Sequence, residues 1–139
     1  MKIKIQRIHP EAVMPAYAYP GDAGLDLFAV EKVVIPAGEN RAVATGLKMA
    51  IPAGYAGFIW DKSGLSLHHQ LKTMAGVIDS NYRGEVKVVI MNLGKNAYEI
   101  EKGSKIAQII IAPVLEAELE EGEVDDMTER GSRGFGSSG

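Results

Sequence analysis

The sequence predicts an all-β protein, a sandwich or barrel of short strands with one short helix. Val and Ile together number 24 against 9 Leu, and β-branched side chains favour strands. Residues 2–5, 85–88 and 97–100 alternate in polarity, which is the period of a strand with one buried face. Gly and Pro turn signals separate these segments at short intervals, as is typical of a sandwich or barrel.

The connecting turns and the longest strand have their own signals. The tetrapeptide Ile-Pro-Ala-Gly occurs at residues 35–38 and again at 51–54, which indicates one turn device used twice. Residues 106–114 are almost wholly apolar apart from Gln108, so this run predicts a buried central strand. Residues 76–85 predict a hairpin with Asp79 at the end of an apolar strand.

One segment favours a helix. Ser63 stands where a capping residue is needed, and Leu67 and Leu71 lie four residues apart, as on one helix face. The segment is long enough for about two turns. His68 and His69 are adjacent, so on a helix they point about 100° apart and do not share a metal ion.

Composition limits the function classes. The chain has 139 residues, 46% of them apolar, which suits one domain with a substantial core. It contains no Cys, which excludes a thiol nucleophile and fits a reducing, cytoplasmic setting. No apolar run approaches 18 residues, so we expect no membrane partner.

Charge divides the chain into two parts. Residues 1–115, the expected β-barrel body, hold 13 Lys and Arg against 10 Asp and Glu, a net charge of +3. Residues 116–139 hold 2 Arg against 8 Asp and Glu, a net charge of −6. Neither part has the clustered cations that general nucleic-acid binding needs. Composition alone favours a disordered tail after residue 115, but Arg130 and Phe135 among glycines are typical of a flap that closes over an anionic, aromatic ligand.

Several short Gly-containing islands carry one polar residue each. Asp26 lies between two Leu in the segment 23–27, and Lys62 and Ser63 precede Gly64 at the predicted helix start, where backbone N–H groups favour phosphate. Asp79 follows an apolar strand; taken alone, such an acid is more often a turn cap than a catalytic group.

Together these islands match one family. The segments AGLDL at 23–27, KSGL at 62–65, GVIDSNYRGE at 76–85, GSKIAQII at 103–110 and RGSRGFGSSG at 130–139 resemble, in order and spacing, the five motifs of the homotrimeric dUTP diphosphatases (dUTPases). The resemblance implies a trimer in which residues 1–115 form the β-barrel catalytic domain, a distorted jelly-roll or β-clip-like barrel. It also implies a mobile C-terminal arm, residues 116–139, that closes over a neighbouring subunit's active site. It implies hydrolysis of dUTP to dUMP and pyrophosphate with Mg²⁺ held by the triphosphate and water. Such a reaction limits uracil incorporation into DNA and supplies dUMP for dTMP synthesis.

The resemblance also implies residue roles. Asp79 matches the general base that activates water for attack on the α-phosphorus, and Tyr82 matches the ring that packs under deoxyribose and excludes a ribose 2′-OH. Gly76, Val77 and Ile78 match the main-chain positions that read uracil.

The resemblance assigns the remaining matched positions to binding of the phosphates or of uracil, or to orienting a cation or water near the phosphates. Phe135 is expected to stack on uracil, and Asp26 to orient a cation or a water of the Mg²⁺, or to have a structural role. The other implied substrate-binding residues are Lys62, Ser63, Gly64, Lys87, Gln108, Arg130, Gly136, Ser137 and Ser138.

The chain departs from the family pattern before Ser63. Asp61 and Lys62 stand where Pro-Arg is common, so the bidentate guanidinium is replaced by a single ammonium. Thr73 stands where some relatives carry Asn. A dCTP deaminase shares this fold, but its Glu base aligns with Val89, which does not transfer protons. A nucleotide-binding module without hydrolysis remains an alternative, although it would not need Asp79, Tyr82 and the arm together.

Overall fold

The computed structural model describes residues 1–135 and confirms the predicted all-β jelly-roll class. Within this part, eleven strands and one helix follow each other along the chain. Their bounds are β1 Lys4–Arg7, β2 Leu25–Phe28, β3 Val33–Ile35, β4 Asn40–Ala44, β5 Leu47–Ala50, β6 Tyr55–Trp60, α1 Ser63–His69, β7 Leu71–Met74, β8 Val77–Ile78, β9 Lys87–Asn92, β10 Tyr98–Ile100 and β11 Lys105–Pro113.

The strands form antiparallel sheets around one apolar core. A four-stranded sheet has the order β2-β11-β6-β8 and a three-stranded sheet the order β4-β9-β7, while β1 pairs with β5 and β3 with β10. Alternate residues point inward, as the strand period requires: Val88, Ile90 and Asn92 of β9 are buried. Leu27 and Ile109, on neighbouring strands, have no exposed surface.

The central strand and the repeated turn agree with the sequence. β11 lies between β2 and β6, as its apolar composition predicts. In the first Ile-Pro-Ala-Gly copy the Glu39 N–H donates to the Pro36 carbonyl at 3.1 Å, and Gly38 has φ 76°. The second copy repeats this with a 3.2 Å bond to Pro52 and φ 80° at Gly54. Both are turns whose third residue requires a positive φ, which Gly adopts without a Cβ penalty.

The helix differs in detail from its prediction. α1 has seven residues, so its length is as predicted, but Lys62 occupies the N-cap position and no side chain caps it; Ser63 is already helical. Leu71 belongs to β7, and Leu67 is 72% exposed, so the predicted Leu67–Leu71 face is wrong. The reason is Gln70, which adopts a left-handed conformation at φ 53° and turns the chain into β7.

The predicted hairpin at 76–85 is also wrong. β7 pairs with β9, whereas β8 pairs with β6 in a different sheet. The chain changes sheet at Ala75 and Gly76, which have φ 56° and 105°. Gly76 is needed here because a Cβ would lie 3.0 Å from the Ile59 carbonyl oxygen. Asp79 therefore follows a strand that ends at an open loop.

Candidate active site

A cluster of charged and amide side chains lies where β2, β11 and β6 run side by side. The register places Gln108 of β11 opposite both Asp26 and Trp60. Lys62 Nζ lies 2.5 Å from Asp26 Oδ1, and Lys105 Nζ lies 2.7 Å from Asp26 Oδ2. We call Asp26, Lys62, Lys105 and Gln108 the cationic cluster.

The Asp26 carboxylate is the buried centre of this cluster. Its side chain is 3% exposed, against 29% for Lys62 and 49% for Lys105. Burial alone would raise the pKa of Asp26, but the hydrogen bonds and charges of Lys105 and Lys62 outweigh it, so this pKa lies below its ordinary value. The same contact raises the pKa of Lys105. Asp26 is therefore ionised at neutral pH and fixes both ammonium groups.

Gly24, in the first motif, leaves space for the Gln108 side chain. A Cβ at position 24 would lie 2.4 Å from Gln108 Oε1, so only Gly leaves room for this side chain. Gln108 Nε2 then donates to the Asp61 main-chain oxygen at 2.9 Å, and its second N–H can donate to a ligand. The first and fourth motifs thus meet in one contact.

A second group of predicted residues lines a cavity of about 180 Å³, which we call the carboxylate pocket. The Tyr82 N–H donates to the Asp79 carbonyl at 3.1 Å, and Tyr82 Oη donates to the Glu85 carbonyl at 2.9 Å. These bonds hold the Tyr82 ring, 42% exposed, at the wall of the cavity that Asp79 also lines. The lining residues are Val77, Ile78, Asp79, Tyr82, Glu85 and Lys87.

Gly84 makes room for this ring. A Cβ at position 84 would lie 2.2 Å from Tyr82 Oη and 2.4 Å from Tyr82 Cζ. Gly76, predicted beside this pocket, uses its carbonyl to accept the Ile59 N–H at 2.8 Å. The third motif therefore builds one pocket with an aromatic ring and a carboxylate on its wall.

The other predicted positions lie outside these two groups or at their edge. Ser63 and Gly64 begin α1 beside Lys62, and a Cβ at position 64 would meet nothing within 4 Å. Arg130 Nε donates to the Arg133 carbonyl at 2.9 Å in a local turn, and Phe135 is fully exposed. Gly136, Ser137 and Ser138 lie outside the described residues.

The structure adds residues that the sequence reasoning did not single out. Lys105 joins Asp26, and Glu85 accepts the Gly46 N–H at 2.9 Å and lies 3.6 Å from Lys87. Asp61 binds Thr73 through two hydrogen bonds. Lys105 and Glu85 belong to the quoted motifs, so motif membership was the available signal. The Asp61–Thr73 contact has no local sequence signal.

The described residues offer no ready-made metal cage. In residues 1–135 no group of three or more His, Asp or Glu side chains is close enough together to hold a metal ion. No helix in the same part of the chain is long and apolar enough to cross a membrane.

Comparisons with known proteins identify the family. A family model described as dUTPase matches residues 10–139. The deoxyuridine 5'-triphosphate nucleotidohydrolase of Clostridium kluyveri is 45% identical over 141 residues, which cover 100% of this chain and 99% of that protein.

Solved dUTPase structures support the same family. A mutant dUTPase of Staphylococcus bacteriophage 80alpha with dUpNHpp has a TM-score of 0.92 and 31% identity, covering 99% of this chain and 98% of that chain. A mutant dUTPase of phage phi11 of S. aureus, described with a structural Mg(II) ion, has a TM-score of 0.84 and 27% identity, covering 89% and 98%.

The fold defines the class of protein, an all-β jelly-roll. The family model and the full-length relatives then give the particular assignment, and the chain belongs to the dUTPase family. It is a dUTP diphosphatase, a hydrolase of nucleotide metabolism, and the predicted resemblance to this family is confirmed.

Proposed function

We propose that the chain hydrolyses dUTP to dUMP and pyrophosphate through a water molecule that Asp79 activates for attack on the α-phosphorus. The carboxylate pocket is the observation that carries this proposal, because it brings the Asp79 carboxylate and the Tyr82 ring to one cavity. A carboxylate fixed within hydrogen-bond reach of a water can accept its proton as the new P–O bond forms. The pyrophosphate then leaves with its electron pair on the bridging oxygen.

Different walls of the carboxylate pocket recognise the sugar and the base of the nucleoside. The face of Tyr82 packs against deoxyribose, where a 2′-OH would clash, and main-chain groups of Gly76, Val77 and Ile78 bind the uracil edge. The hydrogen bond from Tyr82 Oη to Glu85 supports this role, since it fixes the ring before substrate arrives. Lys87 adds a cation at the same wall.

The cationic cluster binds the triphosphate. Lys62 and the free N–H of Gln108 face it, while Asp26 holds Lys62 from behind. Ser63, next to Lys62, lies near the α–β bridge, where a hydroxyl stabilises the charge that develops on leaving pyrophosphate. The preformed Asp26–Lys62 contact supports this assignment, because an oriented ammonium needs little reorganisation in the transition state.

Mg²⁺ fits this arrangement as a partner of the substrate. Phosphate oxygens and water would hold the ion, and Asp26 would act indirectly, through the ammonium groups of Lys62 and Lys105 that it contacts. When bound, the ion neutralises negative charge on the triphosphate.

The active form is a homotrimer with sites shared between subunits. The resemblance of the five motifs to those of the homotrimeric dUTPases supports a site completed by another copy. Residues 1–115 form the body, and residues 116–139 form an arm that reaches a neighbouring site with Arg130, Phe135, Gly136, Ser137 and Ser138. The enzyme thereby removes dUTP before it enters DNA and supplies dUMP.

Pyrophosphate release in the presence of Mg²⁺ tests the activity, with dUTP compared against UTP, dTTP and dCTP. We expect turnover of dUTP alone. Ammonia from dCTP would establish deamination and contradict the Val89 argument. Tight dUTP binding without turnover of any substrate would establish the binding module instead.

Mixing inactive variants tests the shared site. Asp79→Asn lacks the base and Lys62→Met lacks the phosphate cation, so each homotrimer is expected to be inactive. If one site takes these residues from different subunits, mixed trimers contain some intact sites and regain part of the activity. A mass of one 14.9 kDa chain in solution, or no recovery after subunit exchange is verified, would refute the shared site.

A further inference from the structure

Asp61, directly before Lys62, joins three elements of the fold. Its Oδ1 accepts hydrogen bonds from the Thr73 N–H at 2.6 Å and from Thr73 Oγ1 at 2.7 Å. Its Oδ2 lies 2.8 Å from Lys72 Nζ. Its main-chain oxygen accepts the Gln108 Nε2 donor at 2.9 Å. One residue thus connects the turn after β6 to both β7 and β11.

The two bonds from Thr73 are the strong part of this contact. A carboxylate that accepts N–H and O–H donors forms short, charge-assisted bonds. The Asp61 side chain is 25% exposed, while Lys72 is 51% exposed, so the ion pair is screened by solvent. The cavity that Asp61 and Thr73 help to line has a volume of only about 10 Å³, at the lower limit for one water. The hydrogen bonds to this carboxylate thus come from protein donors, Thr73 and Lys72.

Asp61 and Lys62 send their side chains to different partners. Asp61 reaches Thr73 on β7, whereas Lys62 reaches Asp26 on β2. Adjacent residues of an extended segment point to opposite sides, and Lys62 has the extended φ −89°, ψ 123°. Asp61 is thus anchored on one side of the turn while Lys62 and Ser63 are presented on the other.

We propose that Asp61 is a positioning residue: with Thr73 it holds the turn that carries Lys62 and Ser63, and its carbonyl orients Gln108 toward the triphosphate. This inference rests on the proposed phosphate-binding role of the cationic cluster. It gives Asp61 and Thr73, both departures from the common family pattern, one shared role. The pair fixes by hydrogen bonds the backbone that presents the phosphate-binding groups.

Substitutions at Thr73 test the pair without removing a charge. Thr73→Val keeps the shape and the main-chain donor but loses the hydroxyl, and Thr73→Ser retains the hydroxyl. We expect Thr73→Val to lower kcat/KM for dUTP about tenfold, since small displacements of positioning groups carry large rate penalties. Thr73→Ser should remain within about twofold of wild type. Lys72→Met, which removes only the exposed ion pair to the same carboxylate, is the matched control and should also remain within about twofold.

A double variant tests whether Thr73 acts through Asp61. If it does, Asp61→Ala combined with Thr73→Val should lose no more activity than Asp61→Ala alone. Independent, multiplying losses would overturn the pairing. All kinetics are measured well below the Tm of each variant.

Binding of inorganic pyrophosphate supplies a readout that does not depend on turnover. Trp60 is the single Trp of the chain, directly precedes Asp61 and is 55% exposed, so its emission reports on this turn. Thr73→Val should weaken pyrophosphate binding, and Thr73→Ser should restore it. Unchanged kinetics and pyrophosphate affinity in Thr73→Val, with only a lower Tm, would reduce the pair to a structural role. Failure of wild type to hydrolyse dUTP would instead refute the proposed function. The pyrophosphate titration would still test whether Asp61 and Thr73 position the phosphate-binding groups.

Discussion

Replacing Asp26 with Asn removes the charge at the centre of the cationic cluster and keeps the side-chain shape. The wild-type carboxylate is 3% exposed and contacts Lys62 at 2.5 Å and Lys105 at 2.7 Å. An Asn amide can offer its oxygen to one ammonium only, so its NH₂ group faces the other, and two donors meet. One charge-assisted bond is lost and one ammonium is left without its acceptor.

The structure sets the size of the effect. A hydrogen bond to a charged group contributes about 1.5–3 kcal/mol. Lys105 is half exposed and can turn toward water, which reduces the loss. We therefore expect Asp26→Asn to lower the free energy of unfolding by about 2 kcal/mol, or the Tm by about 8 °C for a chain of this size.

The loss should depend on pH in a defined direction. The pKa of folded Asp26 lies below its ordinary value of 3.8, so the unfolded chain binds this proton more readily. Its contribution to stability is complete above that value and disappears as the pH falls through the lowered folded pKa. The difference between wild type and Asp26→Asn should be constant from pH 7 to pH 5 and shrink below pH 4.

Urea unfolding at pH 7, 5 and 3.5, followed by Trp60 emission and circular dichroism, measures this difference. Glu99→Gln is the control, because it removes an ion pair of similar length, 2.8 Å to Lys32, that is about half exposed on both sides. It should change stability much less than Asp26→Asn. Equal stability of wild type and Asp26→Asn at pH 7, or a difference that stays constant to pH 3.5, would refute the reasoning.

Three further predictions follow from the proposed site. Asp79→Asn should lower kcat for dUTP by at least about 10²-fold while largely sparing dUTP affinity in a calorimetric titration; wild-type turnover would remove Asp79 as the base. Deleting residues 130–139 should lower kcat/KM far more than Tm, and normal dUTP hydrolysis by the truncated chain would contradict the role of the arm. Gly84→Ala should bring UTP turnover closer to that of dUTP, because its Cβ would lie 2.2 Å from Tyr82 Oη and displace the ring. An unchanged dUTP-to-UTP preference in Gly84→Ala would refute the steric argument.

Local signals predicted much of the fold. The apolar run 106–114 has one stable location, between two other strands, and β11 occupies it. Both Ile-Pro-Ala-Gly turns need a positive φ at Gly, which the tetrapeptide itself encodes. The end of α1 and the partner of β8 were mispredicted because tertiary packing decides them. A Gln residue does not by itself predict the left-handed conformation that Gln70 adopts. The pairing of β8 with β6 is a contact between separate segments, which local sequence does not specify.

In the candidate site too, some contacts follow from local sequence and others only from tertiary packing. Asp79 and Tyr82 are three residues apart, so one loop brings them to one pocket and the motif is enough to find it. Lys105 and Asp26 are far apart along the chain and meet only because β2 and β11 pair. The contact of Asp61 with Thr73 likewise needs the turn after β6 to approach β7. Such contacts are consequences of the folded sheet order, which short-range pattern does not specify.

The cationic cluster alone carries less positive charge than a triphosphate requires. Lys62 and Lys105 share the single carboxylate of Asp26, so the cluster carries one net positive charge. Lys72 adds none, because Asp61 pairs with it. A triphosphate carries several negative charges at neutral pH, and burying them unbalanced would be costly. The deficit is the electrostatic reason to expect dependence on Mg²⁺ and an arm that brings Arg130 to the site.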